Sequence, residues 1–265
     1  MAHLRVDFFA DSLALSTSMT VLLPQRTRSQ IGMTGTVDDA AGGPPVLYLL
    51  HGLSDDDTIW LRRTSIERYV AELGWAVVMP QVHRSFYTDE QLGQAFWTFV
   101  SQELPEIVGS MFRVSQRRED TFVAGLSMGG YGAVKLALRQ PERFAAAASL
   151  SGVLDLATRL GTPTPADTAM FTRIFGPAGV PTGDDDLVDL VRRCDPSTLP
   201  ALWACCGTED FLAGQNRTFE RAAREAGIPL EVQWSPGEHE WGYWDRTVQD
   251  ALRFFAAVRG GAVAG

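Results

Sequence analysis

A serine between two glycines is the first feature of this chain that could do chemistry. It lies in Gly125-Leu126-Ser127-Met128-Gly129, between an apolar run that predicts a strand and a stretch with helical spacing. On such a tight turn the glycines remove side chains that would clash, and the serine hydroxyl stands exposed above the sheet. The following helix favours an anionic intermediate through its N-terminal dipole. The pattern predicts that Ser127 is a nucleophile; the alternative is a glycine-rich turn whose serine only caps the helix.

One residue in the rest of the chain is a candidate for the base that this serine needs. A serine hydroxyl is a poor nucleophile without a base, and after this kind of turn an acid and then a histidine follow along the chain. His239 is the only histidine after Ser127, and it lies in a loop between the apolar run 230–234 and the helical stretch 247–257. We interpret His239 as the general base; an exposed loop histidine without a role is the alternative.

Three carboxylates could be the acid that supports His239. The third residue must hold the imidazole in the correct tautomer and stabilise its protonated form. We place Asp210 in this role, because it follows the apolar run 201–206 at the predicted carboxyl edge of the sheet. Asp155, which comes after the run 145–150, and Glu209, which is adjacent to Asp210, remain alternatives in that order.

The reaction of such a serine also needs N–H donors for a developing oxyanion. One is expected from the backbone of Met128, directly after the nucleophile, and the other from the loop after an early strand. The segment His51-Gly52-Leu53-Ser54 follows the run 46–50 in that place, so we assign the second donor to Leu53. His51 itself is interpreted as a brace for this loop.

Aromatic side chains in the loops near these residues could line an acyl or aryl pocket. Trp60, Tyr87 and Trp241 are expected to contribute, and core packing is the alternative for each of them. The run Asp55-Asp56-Asp57 is interpreted as a solvated turn, with a metal site as the alternative. The predicted chemistry needs no metal and no organic cofactor.

The elements that must position these residues alternate between strand and helix. Runs that are apolar on both faces predict strands covered on both sides, and the stretches between them predict crossover helices. This alternation predicts a three-layer α/β/α sandwich. Together with the serine turn between a strand and a helix, it predicts an α/β protein with the α/β-hydrolase fold, a mostly parallel central sheet sandwiched by helices. Residues 4–24 predict one or two antiparallel strands that enter it. The other predicted strands are 46–50, 75–79, 121–124, 145–150, 201–206 and 230–234.

One stretch departs from this alternation. Residues 155–200 carry several prolines and an acidic run, and they predict a small lid-like insertion over the sheet. A solvated loop with a short helix is the alternative. We expect residues 1–265 to form a single domain, with a surface loop at 34–45 and a frayed tail at 260–265.

The composition limits the classes of protein and partner. With 265 residues, 45% hydrophobic and 21% charged, the chain can bury a large core and is not of disordered composition. Its formal net charge of −9 repels phosphate backbones and anionic lipids, so we expect neither nucleic acid nor membrane as a partner. We expect no signal peptide and no membrane-spanning helix. Three cysteines, two of them adjacent, fit a reducing cytoplasm, and a homo-oligomer is left open.

Four segments resemble a known family, the putative esterases of the esterase D and antigen 85 group, and most of all its bacterial tributyrin esterase-type carboxylesterases. The resemblance implies Ser127, Asp210 and His239 as a catalytic triad, with Leu53 and Met128 in the oxyanion hole. It also implies a short-chain or small acyl ester as the substrate. The segments are Leu49-Leu50-His51-Gly52-Leu53 with Trp60-Leu61, Ala124-Gly125-Leu126-Ser127-Met128-Gly129-Gly130-Tyr131-Gly132-Ala133, Gly207-Thr208-Glu209-Asp210-Phe211-Leu212 and Gly237-Glu238-His239-Glu240-Trp241.

Together these residues predict a serine carboxylesterase that acts through an acyl-enzyme intermediate. An acyltransferase, or a thioesterase similar to S-formylglutathione hydrolase, could use the same triad. A noncatalytic ligand-binding module with this fold is the alternative from another class. Modules of that kind usually lose a triad residue, whereas this chain keeps all three.

Overall fold

One eight-stranded sheet runs through the part of the chain described by the structure, a computed structural model that covers residues 1–27, 31, 42–158 and 164–261. Its strands are β1 (Ala2–Ala10), β2 (Leu15–Leu23), β3 (Val46–Leu50), β4 (Ala76–Pro80), β5 (Thr121–Leu126), β6 (Ala146–Leu150), β7 (Ala201–Gly207) and β8 (Leu230–Ser235). The inner strands, β3 to β7, are short and almost entirely buried, as expected for strands covered on both faces.

The strand order is β1-β2-β4-β3-β5-β6-β7-β8. The pairs β1–β2 and β2–β4 are antiparallel, and every pairing from β4 through β8 is parallel. The predicted α/β-hydrolase fold is therefore confirmed, with antiparallel strands at the N-terminus. Because the carboxyl ends of parallel strands meet at one edge, the loops after β3, β5, β6, β7 and β8 can bring their residues together.

Helices connect the strands and cover both faces of the sheet. A π-helical turn, Phe99–Glu103, joins α3 to α4, and 3₁₀ turns occupy Arg118–Asp120 and Gly183–Asp185. The helices are α1 (Ile59–Arg63), α2 (Ile66–Ala71), α3 (Phe96–Thr98), α4 (Leu104–Met111), α5 (Met128–Arg139), α6 (Pro165–Phe175), α7 (Leu187–Arg193), α8 (Ala213–Glu225) and α9 (Trp241–Arg259).

Two apolar cores lie on opposite faces of the sheet. Successive residues of a strand point to opposite faces, so Tyr48 and Leu50 of β3 join one core while Leu47 and Leu49 join the other. The first core contains buried residues of α4, α5, α7 and α8, and the second contains residues of α1, α2 and α9. This gives the three layers that the alternating sequence pattern predicts.

An insertion between β6 and β7 carries α6 and α7. Lys135, fully buried on α5, forms an ion pair of 2.5 Å with Asp185 of this insertion. Burial lowers the pKa of Lys135 to about 8, although the Asp185 carboxylate opposes that shift. Arg173 of α6 binds Glu90 at 3.0 Å. The insertion is therefore tied to the helix behind Ser127 and to the loop after β4, and its role as a lid stays a prediction.

Some predicted features lie partly outside the described residues. These are most of the loop at 34–45, residues 159–163 of the insertion and residues 262–265 of the tail. Across the ranges that the structure covers, no helix combines the length and the apolarity needed to cross a bilayer.

Candidate active site

Ser127 lies on a strained turn between β5 and α5, with φ 52° and ψ −116°. A Cβ at Gly125 would lie 2.3 Å from the carbonyl oxygen of Gly129, and a Cβ at Gly129 would lie 2.4 Å from the end of β3. The Ser127 N–H donates to the Leu150 carbonyl at 2.9 Å, and the Ser127 carbonyl accepts from the Val153 N–H at 3.1 Å. These contacts stabilise a backbone conformation whose strain energy is on the order of 1–3 kcal/mol.

Three side chains from three different loops meet above this turn. His239 Nε2 lies 3.1 Å from Ser127 Oγ, and His239 Nδ1 lies 2.9 Å from Oδ2 and 3.1 Å from Oδ1 of Asp210. The carboxylate accepts the Nδ1 hydrogen, which leaves the Nε2 lone pair free to accept the serine proton. The Asp210 side chain is fully buried, whereas 16% of the His239 side chain is exposed. The arrangement can activate the serine hydroxyl.

The other two candidate carboxylates have different partners. Asp155 accepts a hydrogen bond from a backbone N–H in its own loop at 3.2 Å. Glu209 Oε2 accepts from the backbone N–H of Gly237 at 2.7 Å. Of the three, Asp210 is the one in contact with His239, and Glu209 instead holds the loop that carries His239.

Asp210 keeps its charge inside the protein because several donors surround it. Burial by itself raises the pKa of this carboxyl, but hydrogen bonds from His239 and the Leu212 N–H outweigh it and bring the net pKa below the ordinary value. The Leu212 N–H donates to Oδ1 at 2.8 Å. The carboxylate is therefore ionised at neutral pH, as a partner of an imidazolium must be.

Aromatic rings enclose His239 on two sides. The Trp244 ring meets it edge-on at 4.8 Å, and the Phe211 ring lies 4.5 Å away. Phe211 is 64% exposed, which is unusual for so large an apolar side chain. Sequence reasoning missed Phe211 as a site residue, although its position directly after Asp210 was a usable signal.

His51 braces the loop after β3. Its Nε2 accepts from the Val82 N–H at 3.1 Å, so Nδ1 carries the hydrogen and donates to the Gly52 carbonyl at 2.7 Å. Burial lowers the pKa of His51, which is consistent with this neutral tautomer. The Tyr87 hydroxyl donates to the His51 carbonyl at 3.0 Å. His51 thus has the bracing position that the sequence predicts for it.

The two expected oxyanion donors lie on either side of the turn. Met128 is the first residue of α5, and the first N–H groups of a helix have no carbonyl partner within that helix. Leu53 follows the braced loop and packs its side chain against the core. Their roles as donors stay a prediction.

Two of the three expected pocket residues belong to the core instead. Trp60 is 1% exposed and donates its indole N–H to the Leu50 carbonyl at 3.1 Å, and Tyr87 is fully buried. Burial with an internal hydrogen-bond partner leaves neither side chain free to form a pocket wall. Trp241 is half-buried and packs edge-on against Trp60 and Trp244.

In the acidic run that follows the loop after β3, Asp57 is buried and not solvated as the sequence suggested. Asp57 is 3% exposed and accepts hydrogen bonds from Ser18 at 3.1 Å, Thr20 at 2.8 Å and Arg5 at 3.3 Å. It therefore ties the N-terminal hairpin to this loop. Within the described ranges, no group of three or more His, Cys, Asp or Glu side chains is arranged to hold a metal ion.

Comparisons with known proteins agree on one family. A family model described as "Putative esterase" matches residues 20–255. The chain is 30% identical to an acetyl esterase of Caldicellulosiruptor saccharolyticus, in an alignment that covers 97% of this chain and 99% of the relative.

Two solved structures from Staphylococcus aureus are similar over nearly the whole chain. One is FphF, a fluorophosphonate-binding serine hydrolase, with a TM-score of 0.83, 31% identity and coverage of 96% of this chain and 98% of that one. The other is the S-formylglutathione hydrolase FrmB, with a TM-score of 0.79, 30% identity and the same coverage.

Proposed function

The chain belongs to the putative esterase family and is an esterase, a serine hydrolase, and we propose that it is a carboxylesterase that cleaves short-chain or small acyl esters. The observation that carries the proposal is the contact of His239 with Ser127 on one side and with Asp210 on the other. These three residues are the proposed catalytic triad.

The proposed reaction has two steps. Ser127 Oγ attacks the ester carbonyl while His239 Nε2 takes the hydroxyl proton, and His239 then gives that proton to the departing alcohol. The acyl group remains on Ser127. Water attacks this acyl-enzyme with His239 again as the base, and the carboxylic acid leaves as Ser127 regains its proton. Asp210 stabilises the imidazolium in both steps.

Backbone N–H groups of Leu53 and Met128 are the proposed oxyanion donors. The bond from Tyr87 to His51 supports this assignment, because it holds the loop that ends at Leu53. One such donor typically contributes about 2.7–4 kcal/mol of transition-state stabilisation.

A small acyl group is the proposed preference. The acetyl esterase relative, 30% identical over nearly the full length, supports it. The FrmB relative, with the same identity, favours a second candidate, the hydrolysis of a thioester such as S-formylglutathione. Both candidates use the same acyl-enzyme and differ in the leaving group.

The proposal is tested with p-nitrophenyl acetate, butyrate, octanoate and palmitate, with S-formylglutathione assayed in parallel. We expect turnover to fall as the acyl chain lengthens and to disappear in Ser127→Ala. Ser110→Ala is the matched control, because the Ser110 hydroxyl bonds only locally on α4, to the Ile107 carbonyl. A strong preference for S-formylglutathione would replace the ester by the thioester candidate, and transfer of the acyl group to an added alcohol would indicate an acyltransferase.

A further inference from the structure

Phe211 has its phenyl ring against the imidazole of His239, and most of that ring is uncovered. The two ring centroids are 4.5 Å apart with 50° between the ring planes, yet Phe211 is 64% exposed. Single exposed apolar side chains are common on protein surfaces, so the exposure by itself needs no function. The position does need an explanation, because an apolar ring beside His239 lies next to the group that reacts there.

The backbone that carries Phe211 is fixed relative to His239. Asp210, the residue before it, binds His239 Nδ1, and the Leu212 N–H after it donates to Asp210 Oδ1 at 2.8 Å. The Ala213 N–H donates to the Asp210 carbonyl at 2.9 Å, where α8 begins. The phenyl ring is therefore attached to the same turn that holds the acid of the proposed triad.

Trp244 also contacts the His239 ring, but its environment is different. It is 5% exposed, and its indole N–H donates to Ser151 Oγ at 3.1 Å. Trp244 is therefore a buried support for the imidazole, and its polar group already has a partner. Of the two rings, Phe211 is the one that a bound molecule can touch.

The proposed reaction places the leaving group beside the imidazole. As the bond between the carbonyl carbon and the alcohol oxygen breaks, that oxygen takes its proton from His239 Nε2, over a distance of about 2.6–3.2 Å. The acyl group stays on Ser127. The substituent on the alcohol oxygen thus begins close to the imidazole, and aromatic rings pack with centroids about 4.5–7 Å apart. An aromatic alcohol can therefore extend from Nε2 to the Phe211 ring.

We propose that Phe211 determines the specificity for the leaving group: its exposed ring packs against the alcohol portion of the ester and favours aromatic alcohols over small ones. This inference rests on the proposed function and adds an alcohol preference to it. The contact ends when the alcohol departs, so Phe211 acts on the formation of the acyl-enzyme. The ratio kcat/KM reports this step, because it compares the transition state with free enzyme and free ester.

Benzyl acetate and ethyl acetate test the inference, because they share the acyl group and their alcohols have similar acidity. The measurement is kcat/KM for both esters, by titration of the released acetic acid, with the wild type, Phe211→Ala and Phe211→Leu. Phe9→Ala is the matched control, because Phe9 is 59% exposed on β1, at the opposite edge of the sheet from β8. S-benzyl and S-ethyl thioacetate are assayed in the same way for the thioester candidate.

We expect Phe211→Ala to lower kcat/KM for benzyl acetate by about three- to tenfold, the usual weight of a contact between two aromatic rings. The value for ethyl acetate should change by less than about twofold. Phe211→Leu should lose less than Phe211→Ala, because leucine keeps an apolar surface. Phe9→Ala should keep both wild-type values.

Equal losses on benzyl and ethyl acetate would overturn the inference, because Phe211 would then only shield His239 from water. An unchanged value for benzyl acetate in Phe211→Ala would overturn it as well. If the wild type cleaves the thioacetates and not the acetates, the ratio of S-benzyl to S-ethyl thioacetate decides in the same way. A wild type that cleaves none of the four would contradict the proposed function and, with it, this inference.

Discussion

The two nitrogens of His239 have different tasks, and Asp210 determines which one carries the hydrogen. Because the carboxylate accepts from Nδ1, Nε2 faces Ser127 as an acceptor. The reaction proposed for Ser127 depends on this tautomer.

Asp210→Asn should disable the site without unfolding the protein. An amide keeps an oxygen for the Leu212 N–H, but its NH₂ group faces Nδ1 and forces the imidazole hydrogen onto Nε2. His239 could then no longer accept the serine proton. We expect kcat on p-nitrophenyl acetate to fall by about 10⁴-fold.

Asp155→Asn is the control for this substitution, because Asp155 bonds within its own loop. It should keep near wild-type turnover, and the thermal unfolding of both variants should resemble that of the wild type. The acid would be wrongly assigned if Asp155→Asn lost turnover and Asp210→Asn kept it.

At the scale of elements, the loop after β4 connects the helix behind Ser127 with the loop after β3. His83, Phe86 and Tyr87 in this loop all have positive φ, and the loop is held by its contacts with other elements. Lys135 of α5 donates to the Tyr87 carbonyl at 2.9 Å, and the Tyr87 hydroxyl donates to the His51 carbonyl. The position of the loop after β3 therefore depends on packing that is distant in sequence.

Tyr87→Phe should weaken both stability and catalysis. It leaves the buried His51 carbonyl without this donor, which typically costs about 1–3 kcal/mol of unfolding free energy. Because the loop that ends at Leu53 loosens, kcat should fall more than KM rises. Chemical denaturation and steady-state kinetics measure the two effects.

Tyr131→Phe is the matched control for Tyr87→Phe. The Tyr131 hydroxyl is also buried, but it donates to the Asp185 carbonyl in the insertion at 2.7 Å. We expect a comparable loss of stability with little change in kcat. Equal losses of kcat in both variants would argue against a specific role of Tyr87 at the loop after β3.

At the scale of the whole molecule, Asp120 joins the end of α9 to the start of β5. It is 1% exposed and accepts from Ser115 at 2.7 Å, from Arg117 at 2.7 Å and from Arg259 at 2.8 Å. Burial raises the pKa of Asp120, but the hydrogen bonds of Arg259, Ser115 and Arg117 outweigh it, so the pKa lies below its ordinary value.

Asp120→Asn should lower the unfolding free energy at neutral pH by about 1–3 kcal/mol, less than for a fully buried pair because both arginines are partly exposed. A carboxyl whose pKa is lowered in the folded state stabilises above its unfolded pKa of about 3.9 and loses that effect as the pH falls further. The difference between wild type and variant should therefore shrink below about pH 4. A difference that stayed constant down to pH 2 would contradict this account.

The fold could be predicted from local patterns, and the family from the resemblance of four segments to known esterases. Buried parallel strands are apolar on both faces, and a serine between glycines after such a strand marks a specific turn. The sheet topology confirms the fold, and the comparisons with known proteins confirm the family and the esterase class. The cytoplasmic location, the single domain and the acyl preference stay predictions. The location depends on the cell, the single domain on whether the chain unfolds cooperatively, and the acyl preference on the width of the pocket. Local sequence patterns encode none of these.

The sequence by itself determined the order of Ser127, Asp210 and His239 and the strands that precede them. Only the tertiary structure decided which carboxylate meets His239, because Asp155, Glu209 and Asp210 all follow strands that end at the same edge. It also placed Trp60 and Tyr87 in the core. Strand patterns specify the edge at which a residue lies, whereas its contacts depend on how loops distant in sequence pack together.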